Sequence, residues 1–182
     1  MKENQRIVIS KRMLRESLLR LLQTKKLNEI SITELCREAE INRATFYKYY
    51  STPQDVLCDI SMELKKELKK LYHPLQTLNE VKDCIIEICE LIYERADLIR
   101  LLIHANVDME IAAAISELHR NFSEERNGLG ALKGADDDTL QMTAAFIGGG
   151  SYFLIRKWLL DDIRKTPKEV AELIFRILNT EI

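Results

Sequence analysis

Residues that break regular structure are scarce in this sequence, which contains 3 prolines and 6 glycines among 182 residues. Both residue types are unfavourable inside helices, so their low numbers favour a helical chain. No segment shows the alternating pattern of a half-buried strand, and there is no repeat or low-complexity segment. We therefore predict an all-α fold.

Long apolar runs are also missing. The longest stretch without a charged or strongly polar break, Ala144–Ile155, is 12 residues long and contains three glycines. A membrane-spanning helix needs about 20 apolar residues. The first residues lack the basic, apolar and small-residue order of a signal peptide. We therefore expect a cytoplasmic protein without a membrane partner.

The usual signatures of catalysis and of metal binding are absent from the sequence as well. There is no Gly-x-Ser-x-Gly, no His-Glu-x-x-His, and Gly148-Gly149-Gly150 is not followed by the Lys-Ser/Thr of a phosphate loop. The three histidines do not cluster. We predict no enzymatic activity, no metal and no cofactor. Reduced, buried thiols are predicted for the four cysteines, which lack Cys-x-x-Cys spacing: Cys36, Cys58, Cys84 and Cys89.

Charge is distributed unevenly along the chain, although the formal net charge is only −2. Residues 1–50 contain 11 Lys/Arg and 6 Asp/Glu, a charge of +5, whereas residues 51–182 contain 16 and 23, a charge of −7. Such an asymmetry indicates that the N-terminal part faces a polyanion.

The basic part contains two short helical patterns joined by a tight turn. Ser31 and Glu34 have capping-box spacing, which predicts a helix start at Ser31. Asn42 is a second N-cap candidate, and the helix that it opens has Phe46 and Tyr50 on its inward face. A turn of about three residues between two short helices suits a helix-turn-helix.

The second helix carries side chains that suit a DNA groove. Its first turn contains Arg43, Ala44 and Thr45, which can read a guanine edge, clear the groove floor, and bond a base or a phosphate. Tyr47 and Lys48 can bond phosphates and set the register. A packed helical hairpin with a solvated charged face is the alternative interpretation of the same pattern.

The segment Ser31–Tyr50 resembles the DNA-binding helix-turn-helix of the TetR family of transcriptional regulators, and the resemblance covers about the first third of the chain. It depends on caps, apolar positions and an aromatic run at fixed offsets. Matching or conservatively substituted positions are Ser31, Leu35, Ala39, Ile41, Asn42, Thr45, Phe46, Tyr47, Tyr49, Tyr50 and Leu57. Two positions depart from the family pattern. Glu40 replaces the usual turn glycine, and Pro53 replaces a lysine that often contacts phosphate.

The resemblance implies a DNA contact surface, a connecting helix and a C-terminal body. The predicted DNA-binding residues are Ser31, Thr33, Asn42, Arg43, Ala44, Thr45, Tyr47, Lys48 and Tyr49. The predicted domains are a DNA-binding domain at 1–52, a connecting helix at 53–73, and a regulatory and dimerisation domain at 74–182. The break at His73-Pro74 marks the second boundary, and helical patterns follow at 79–94, 97–104, 109–125, 138–160 and 168–180.

In this family the last two helices form a four-helix bundle with those of a second subunit, so the resemblance implies a homodimer. The C-terminal part also resembles a subgroup that contains a co-activator of dihydroxyacetone kinase genes. The glycine triplet, unusual inside a helix, indicates close approach by another helix or a ligand, with a kink as the alternative. The predicted dimer interface consists of Ile147, Gly148, Gly149, Leu154, Trp158, Ile174 and Ile177.

Family members usually enclose a small-molecule pocket, which implies a small apolar effector, although ordinary core packing explains the same apolar residues. The candidate lining is Ile85, Ile88, Cys89, Ile92, His104, Phe122, Phe146 and Tyr152. The sequence therefore predicts a regulator, most simply a repressor, that binds a palindromic double-stranded DNA operator and is released by an effector. A co-activator of the same fold and a helical protein-binding adaptor are the alternatives.

Overall fold

The computed structural model describes residues 2–71, 77–125, 135–161 and 163–179, and the side chains of residues 5–71, 77–121, 135–161 and 163–178. Every regular element in these ranges is helical, which confirms the all-α prediction. The helices are α1 (Lys2–Leu21), α2 (Ile32–Glu38), α3 (Arg43–Tyr47), α4 (Pro53–Lys70), α5 (Leu78–Glu94), α6 (Ala96–His104), α7 (Met109–Glu125), α8 (Asp137–Leu160) and α9 (Pro167–Asn179), with a short 3₁₀ turn at Leu27–Glu29.

Helix bounds follow the predicted ones closely, apart from α1. An apolar stripe that includes Ile7, Leu14 and Leu21 predicts that helix from about Arg6 to Thr24, whereas it begins at Lys2 and ends at Leu21. No proline or glycine stops it at the N-terminal side, and Lys, Glu and Gln are good helix formers. The predicted break at His73-Pro74 lies outside the described residues. The stretch at 127–138, rich in glycine, aspartate and lysine, predicts an exposed loop; its residues 127–134 also lie outside the described part of the chain, and α8 already begins at Asp137.

The chain forms two compact units, residues 1–63 and residues 64–182. The division falls inside α4, so that the N-terminal part of this helix belongs to the first unit and its C-terminal part to the second. The division of the chain into 1–52, 53–73 and 74–182 stays a prediction about function. None of the described helices combines the length and the apolar character needed to span a bilayer.

The first unit has an apolar core to which all four of its helices contribute. Leu14, Leu35, Phe46 and Val56 are fully buried and come from α1, α2, α3 and α4 respectively. Burial of one such side chain contributes about 1.5–3 kcal/mol to folding. Phe46 is therefore the residue that holds the very short α3 on the rest of the unit.

A partly buried polar cluster ties α1 and the segment after α3 to α4. The Tyr50 hydroxyl donates to Asp59 Oδ2 at 2.6 Å, and Lys11 Nζ lies 3.6 Å from the same carboxylate. Burial, followed by the hydrogen bond to Asp59, raises the pKa of Tyr50. Arg15 Nε lies 3.8 Å from Asp59 as well. Two cations of α1 are thus engaged inside the unit.

In the second unit, α8 packs chiefly on α7, and α9 packs on α5. Gly148 makes the α7–α8 contact close, because a Cβ at this position would lie 2.5 Å from Cα of Ser116. No atom lies within 4 Å of a Cβ built at Gly149 or at Gly150. Within the described part of the chain, close helix approach, one of the two predicted roles of the triplet, therefore applies to Gly148 and not to Gly149 or Gly150.

The C-terminal part of α4 is joined to its own unit by ion pairs. Lys65 Nζ lies 2.8 Å from Glu110 of α7, and Lys69 Nζ lies 2.7 Å from Glu117 of the same helix. The hydrogen bond from Lys69 lowers the pKa of Glu117. Both pairs are partly exposed, so each contributes at most about 1 kcal/mol.

Candidate nucleic-acid interface and internal cavity

Side-chain caps start both helices of the predicted helix-turn-helix. Ser31 Oγ accepts from the Glu34 amide at 3.1 Å, and Asn42 Oδ1 accepts from the Thr45 amide at 2.7 Å. Both predicted N-caps are therefore present. Glu34 does not complete a capping box, because its carboxylate accepts from Lys25 Nζ at 2.5 Å instead. The hydrogen bond from Lys25 lowers the pKa of Glu34.

The turn between α2 and α3 requires a left-handed backbone at Glu40, where φ is 54°. The Glu40 amide donates to Arg37 O at 3.2 Å and the Ile41 amide donates to Cys36 O at 2.9 Å. These are the two bonds of a Schellman motif, which ends helices most readily with glycine. A Cβ in this conformation is unfavourable by about 1–2 kcal/mol. Glu40, which replaces the turn glycine of the family pattern, is therefore strained.

Helix α3 has one buried side chain and an outward-facing remainder. Phe46 is fully buried, whereas Arg43 and Ala44 are exposed and Tyr47 is 51% exposed. The helix ends at Tyr47, and Lys48 serves as its C-cap. Lys48 and Tyr49, which the sequence pattern placed inside the helix, follow in a tighter turn that is closed by a bond of 2.9 Å from the Tyr49 amide to Phe46 O.

Arg43 is held by Tyr47, one helical turn further on. Arg43 Nη2 donates to the Tyr47 hydroxyl at 3.3 Å, and the guanidinium carbon lies 5.8 Å from the centroid of the Tyr47 ring. This hydrogen bond raises the pKa of Arg43. The Tyr47 ring in turn packs edge-on against Phe46, with 5.6 Å between ring centroids.

Cations of the N-terminal part divide into two groups. The first group makes ion pairs with carboxylates of the same unit: Lys11, Arg12, Arg15, Arg20 and Lys25. Within the described part of the chain, the second group makes no ion pair: Arg6, Lys26, Arg37, Arg43 and Lys48. Three of these five lie on α2, on α3 or directly after it. Their positive charge is available to an external anion.

All nine predicted DNA-binding residues lie on this helix-turn-helix. Seven of them are exposed, and Thr45 and Tyr49 are partly buried. Ser31 and Asn42 have their side-chain oxygens occupied as caps. Arg37, which was not among the predicted residues, adds a further exposed cation in the last turn of α2. Its position on the polar face of α2 is visible in the sequence.

A narrow cavity of about 20 Å³ lies inside the second unit, with room for about one water molecule. The lining residues come from α5, α7, α8 and α9: Ile85, Ile88, Cys89, Ile115, Leu118, His119, Ser151, Ile155 and Ile174. Its polar side chains are joined, with His119 Nε2 at 3.0 Å from Ser151 Oγ. Burial lowers the pKa of His119 to about 4, so the ring is neutral at pH 7.

The predicted pocket residues fall into several places. Ile85, Ile88 and Cys89 line the cavity, and burial raises the pKa of the Cys89 thiol to about 12. Ile92 lies in the core outside the lining, His104 is exposed, and Phe146 is 81% exposed. Tyr152 is buried and donates its hydroxyl hydrogen bond to Asp108. The side chain of Phe122 lies outside the described residues.

His119 and Ser151 are cavity residues that the predicted lining lacked. His119 follows Ile115 by four residues, which places it on the apolar side of α7. That spacing was the available signal. In the described residues no group of His, Cys, Asp and Glu side chains is arranged to hold a metal ion.

Residues 79–180 match the family model for the C-terminal region of TetR-type transcriptional regulators. The match covers 102 of the 182 residues, more than half of the chain. The chain belongs to the TetR family of transcriptional regulators. No curated protein matches the sequence. The helix-turn-helix lies outside the matched region, so the N-terminal resemblance and the C-terminal match are independent observations. Together they identify a DNA-binding regulator of a family whose members dimerise.

In this member of the TetR family, one side of α8 presents exposed apolar side chains. Met142 is 75% exposed, Phe146 81% and Phe153 65%. With Gly149 they follow one another at intervals of four, three and four residues, which places them along one face of the helix. We call these four residues the α8 stripe. Large apolar side chains at such spacing, exposed to solvent, mark an interaction surface.

Some of the predicted dimer residues of this TetR-family regulator lie on the surface, and others lie in the interior. Ile177 is exposed, and Ile147, Gly149 and Leu154 are partly so. Gly148 packs against Ser116, and Ile174 lines the cavity. Trp158 is buried, stacks on Tyr93 with 5.5 Å between ring centroids, and donates from Nε1 to Lys165 O at 3.0 Å. These three residues contribute to the packing of their own chain.

Proposed function

We propose that this protein is a repressor that binds a palindromic double-stranded DNA operator as a homodimer, through α3. The observation that carries the proposal is the division of α3 into a buried anchor, Phe46, and an exposed row headed by Arg43. A short helix that is anchored by one side chain can present the others to the floor of a major groove. N-terminal residues of recognition helices contact base edges in this way.

Unpaired charge supports the same assignment. Arg37, Arg43 and Lys48 make no ion pair within the described part of the chain, whereas the cations of α1 are mostly occupied. Phosphate contacts by Lys and Arg supply most of the sequence-independent affinity for DNA. Lys48 is the candidate for such a contact, because it follows α3 directly and is exposed.

A palindromic operator requires a two-fold dimer, and the exposed apolar face of α8 supports pairing with a second copy of the chain. The α8 stripe is apolar and exposed, and Ile177 of α9 adds a further exposed apolar side chain. A second copy of the chain offers the same surface, as a two-fold interface requires. A two-fold dimer of helix-turn-helix units reads half-sites about 34–36 Å apart.

The proposed effector is small and apolar, because eight hydrophobic or partly apolar side chains and one hydroxyl surround the cavity. In its present form the cavity is far smaller than the roughly 300–1,000 Å³ of usual ligand pockets. Effector binding therefore has to enlarge it, and we propose that this change weakens operator binding. The protein acts in the cytoplasm by binding alone, without catalysis.

The test is selection of bound duplexes from a random DNA pool by the purified protein, read by sequencing. We expect an enriched inverted repeat whose half-sites lie one helical turn apart. Absence of enrichment at low salt contradicts operator binding and favours the protein-binding adaptor. Recovery of a single, unrepeated half-site retains DNA binding but contradicts the homodimer.

A further inference from the structure

We infer that Tyr47 is a positioning residue, which holds the Arg43 guanidinium in place to read a guanine in each operator half-site. The inference rests on the proposed operator binding through α3. It assigns to Tyr47 an action through Arg43, in place of the phosphate contact expected from the sequence.

Tyr47 is itself held in place by its packing on Phe46. Its ring lies edge-on to Phe46, at 5.6 Å between centroids, and Phe46 is fully buried against the core. Phe46 also packs against Tyr50, with 5.9 Å between the ring centroids. A partly exposed ring on such a base has few alternative positions, so its hydroxyl is a fixed point beside α3.

Tyr47 in turn orients the guanidinium of Arg43. The two residues are four apart, the spacing at which helical side chains meet. Arg43 Nη2 bonds the hydroxyl at 3.3 Å, and the guanidinium lies near the ring face, 5.8 Å from its centroid. A phenol orients the cation without neutralising it, whereas a carboxylate such as Glu38, which pairs with Arg20 at 3.0 Å, does both.

An arginine that is oriented in this way prefers guanine. A guanidinium has five N–H donors in a planar fork, and the hydroxyl occupies one of them. The remaining donors suffice for the two parallel bonds to O6 and N7 of guanine. Adenine and the pyrimidines do not offer two adjacent acceptors in the major groove. A fork that is already oriented loses less side-chain freedom on binding.

The experiment compares four proteins: the wild type, Tyr47→Phe, Arg43→Ala and the double variant. Tyr47→Phe removes only the hydroxyl and keeps the ring on Phe46. Each protein is selected on the random duplex pool. Its affinity is then measured by fluorescence anisotropy on the recovered operator, on that operator with each other base at the guanine position, and on a random duplex.

We expect Tyr47→Phe to lower the preference for guanine about three- to tenfold, the effect of one lost hydrogen bond. Affinity for the random duplex should stay within about twofold. In the Arg43→Ala background the same substitution should leave base preference unchanged, because the group that it positions is gone. Tyr93→Phe, a matched loss of a hydroxyl from an exposed tyrosine of α5, should leave the guanine preference intact.

Three results overturn the inference while retaining operator binding. One is an unchanged guanine preference in Tyr47→Phe. Another is an equal loss of affinity on all duplexes, which identifies a direct backbone contact by Tyr47. The third is the same loss of preference with and without Arg43. A wild type that enriches no sequence contradicts the proposed function itself, and the inference falls with it.

Discussion

At the scale of single residues, the N-terminal unit separates cations that stabilise the fold from cations that are available to a partner. Lys11 and Arg15 lie within 4 Å of Asp59, a carboxylate that Tyr50 also bonds. Arg43 and Lys48 make no ion pair with any residue that the structure describes. This distinction depends on geometry, since all four are simply basic residues in the sequence.

Arg43→Ala and Lys48→Ala should therefore weaken DNA binding in different ways. We expect Arg43→Ala to cost about 1–3 kcal/mol on the operator and to relax sequence preference, as for the loss of a base contact. Lys48→Ala should weaken binding to every duplex and reduce the slope of log affinity against log salt by about one contact. Anisotropy titrations at several salt concentrations measure both effects. Equal losses of Arg43→Ala on operator and random DNA would show that Arg43 reads no base.

At the scale of the element, two Schellman turns require a left-handed backbone at residues that are not glycine. Glu40 and Asn106 both have positive φ, at 54° and 56°. In each turn the amide two residues past the C-cap bonds the carbonyl five positions back, as Val107 does to Leu102 at 3.0 Å. Asparagine adopts this conformation at little cost, whereas glutamate adopts it at a cost of about 1–2 kcal/mol. Glycine is the residue that both turns accept most readily.

Glu40→Gly should therefore stabilise the protein. The relief of left-handed strain exceeds the additional entropy of the unfolded chain by roughly 0.5–1 kcal/mol. Asn106→Gly is the matched control, and we expect little change there. Chemical denaturation followed by circular dichroism measures both free energies of unfolding. A destabilised Glu40→Gly variant would mean that the Glu40 side chain has a stabilising contact that outweighs the strain.

The glycine triplet of α8 gives a second prediction at this scale. Gly148→Ala places a Cβ 2.5 Å from Cα of Ser116, so the two helices must separate, and we expect a loss of about 1–3 kcal/mol in the free energy of unfolding. Gly150→Ala meets no atom within 4 Å and should gain up to about 1 kcal/mol from its better helix propensity. Thermal unfolding should show opposite shifts. Equal shifts in the same direction would refute the close α7–α8 contact.

At the scale of the whole molecule, α8 determines which surfaces of the second unit remain available. One side of the helix is covered by α7 through Gly148, and Ser151 and Ile155 of α8 line the cavity. The α8 stripe is exposed, and Phe146 is its most exposed member. The same helix therefore belongs to the interior and to the proposed subunit interface.

Gly149→Asp should disrupt the dimer while the fold is kept. Among the described residues, no atom beyond the neighbouring turns of α8 lies within 4 Å of a Cβ at this position. The new side chain therefore fits the subunit, but a paired α8 would bury its charge without a partner. Analytical ultracentrifugation should show monomers for Gly149→Asp and for Phe146→Asp. Met109→Asp, at an exposed apolar residue on α7, should stay dimeric. If Gly149→Asp sedimented as a dimer, α8 pairing would be excluded.

Much of the fold was predictable because local signals agreed with it. Ser31 and Asn42 cap their helices as expected, and Pro53 and Pro167 stand at the first positions of α4 and α9. Caps and prolines act within one turn of chain, so their effect is independent of distant residues. The exposed side of α3 was predictable as well, because burial of its single apolar anchor, Phe46, determines which side of this five-residue helix faces the core.

The second unit was less predictable, and α8 explains why. Apolar residues occur all round this helix, so periodicity does not reveal which side is inside. Phe146, assigned to the effector lining, lies on the surface, and Trp158, assigned to the dimer interface, is buried under Tyr93. The assignments of residues to contacts with DNA, an effector or a second subunit stay predictions.

The sequence by itself determined the helical class, most helix bounds and the side chains that α3 presents, since these depend on caps, propensity and spacing along a few residues. Only the tertiary structure decided which cations are paired, which glycine of α8 touches α7, and that His119 and Ser151 meet in a cavity. These features join residues far apart in the chain, such as Gly148 and Ser116. Their contacts are set by how whole helices pack, which no local pattern contains.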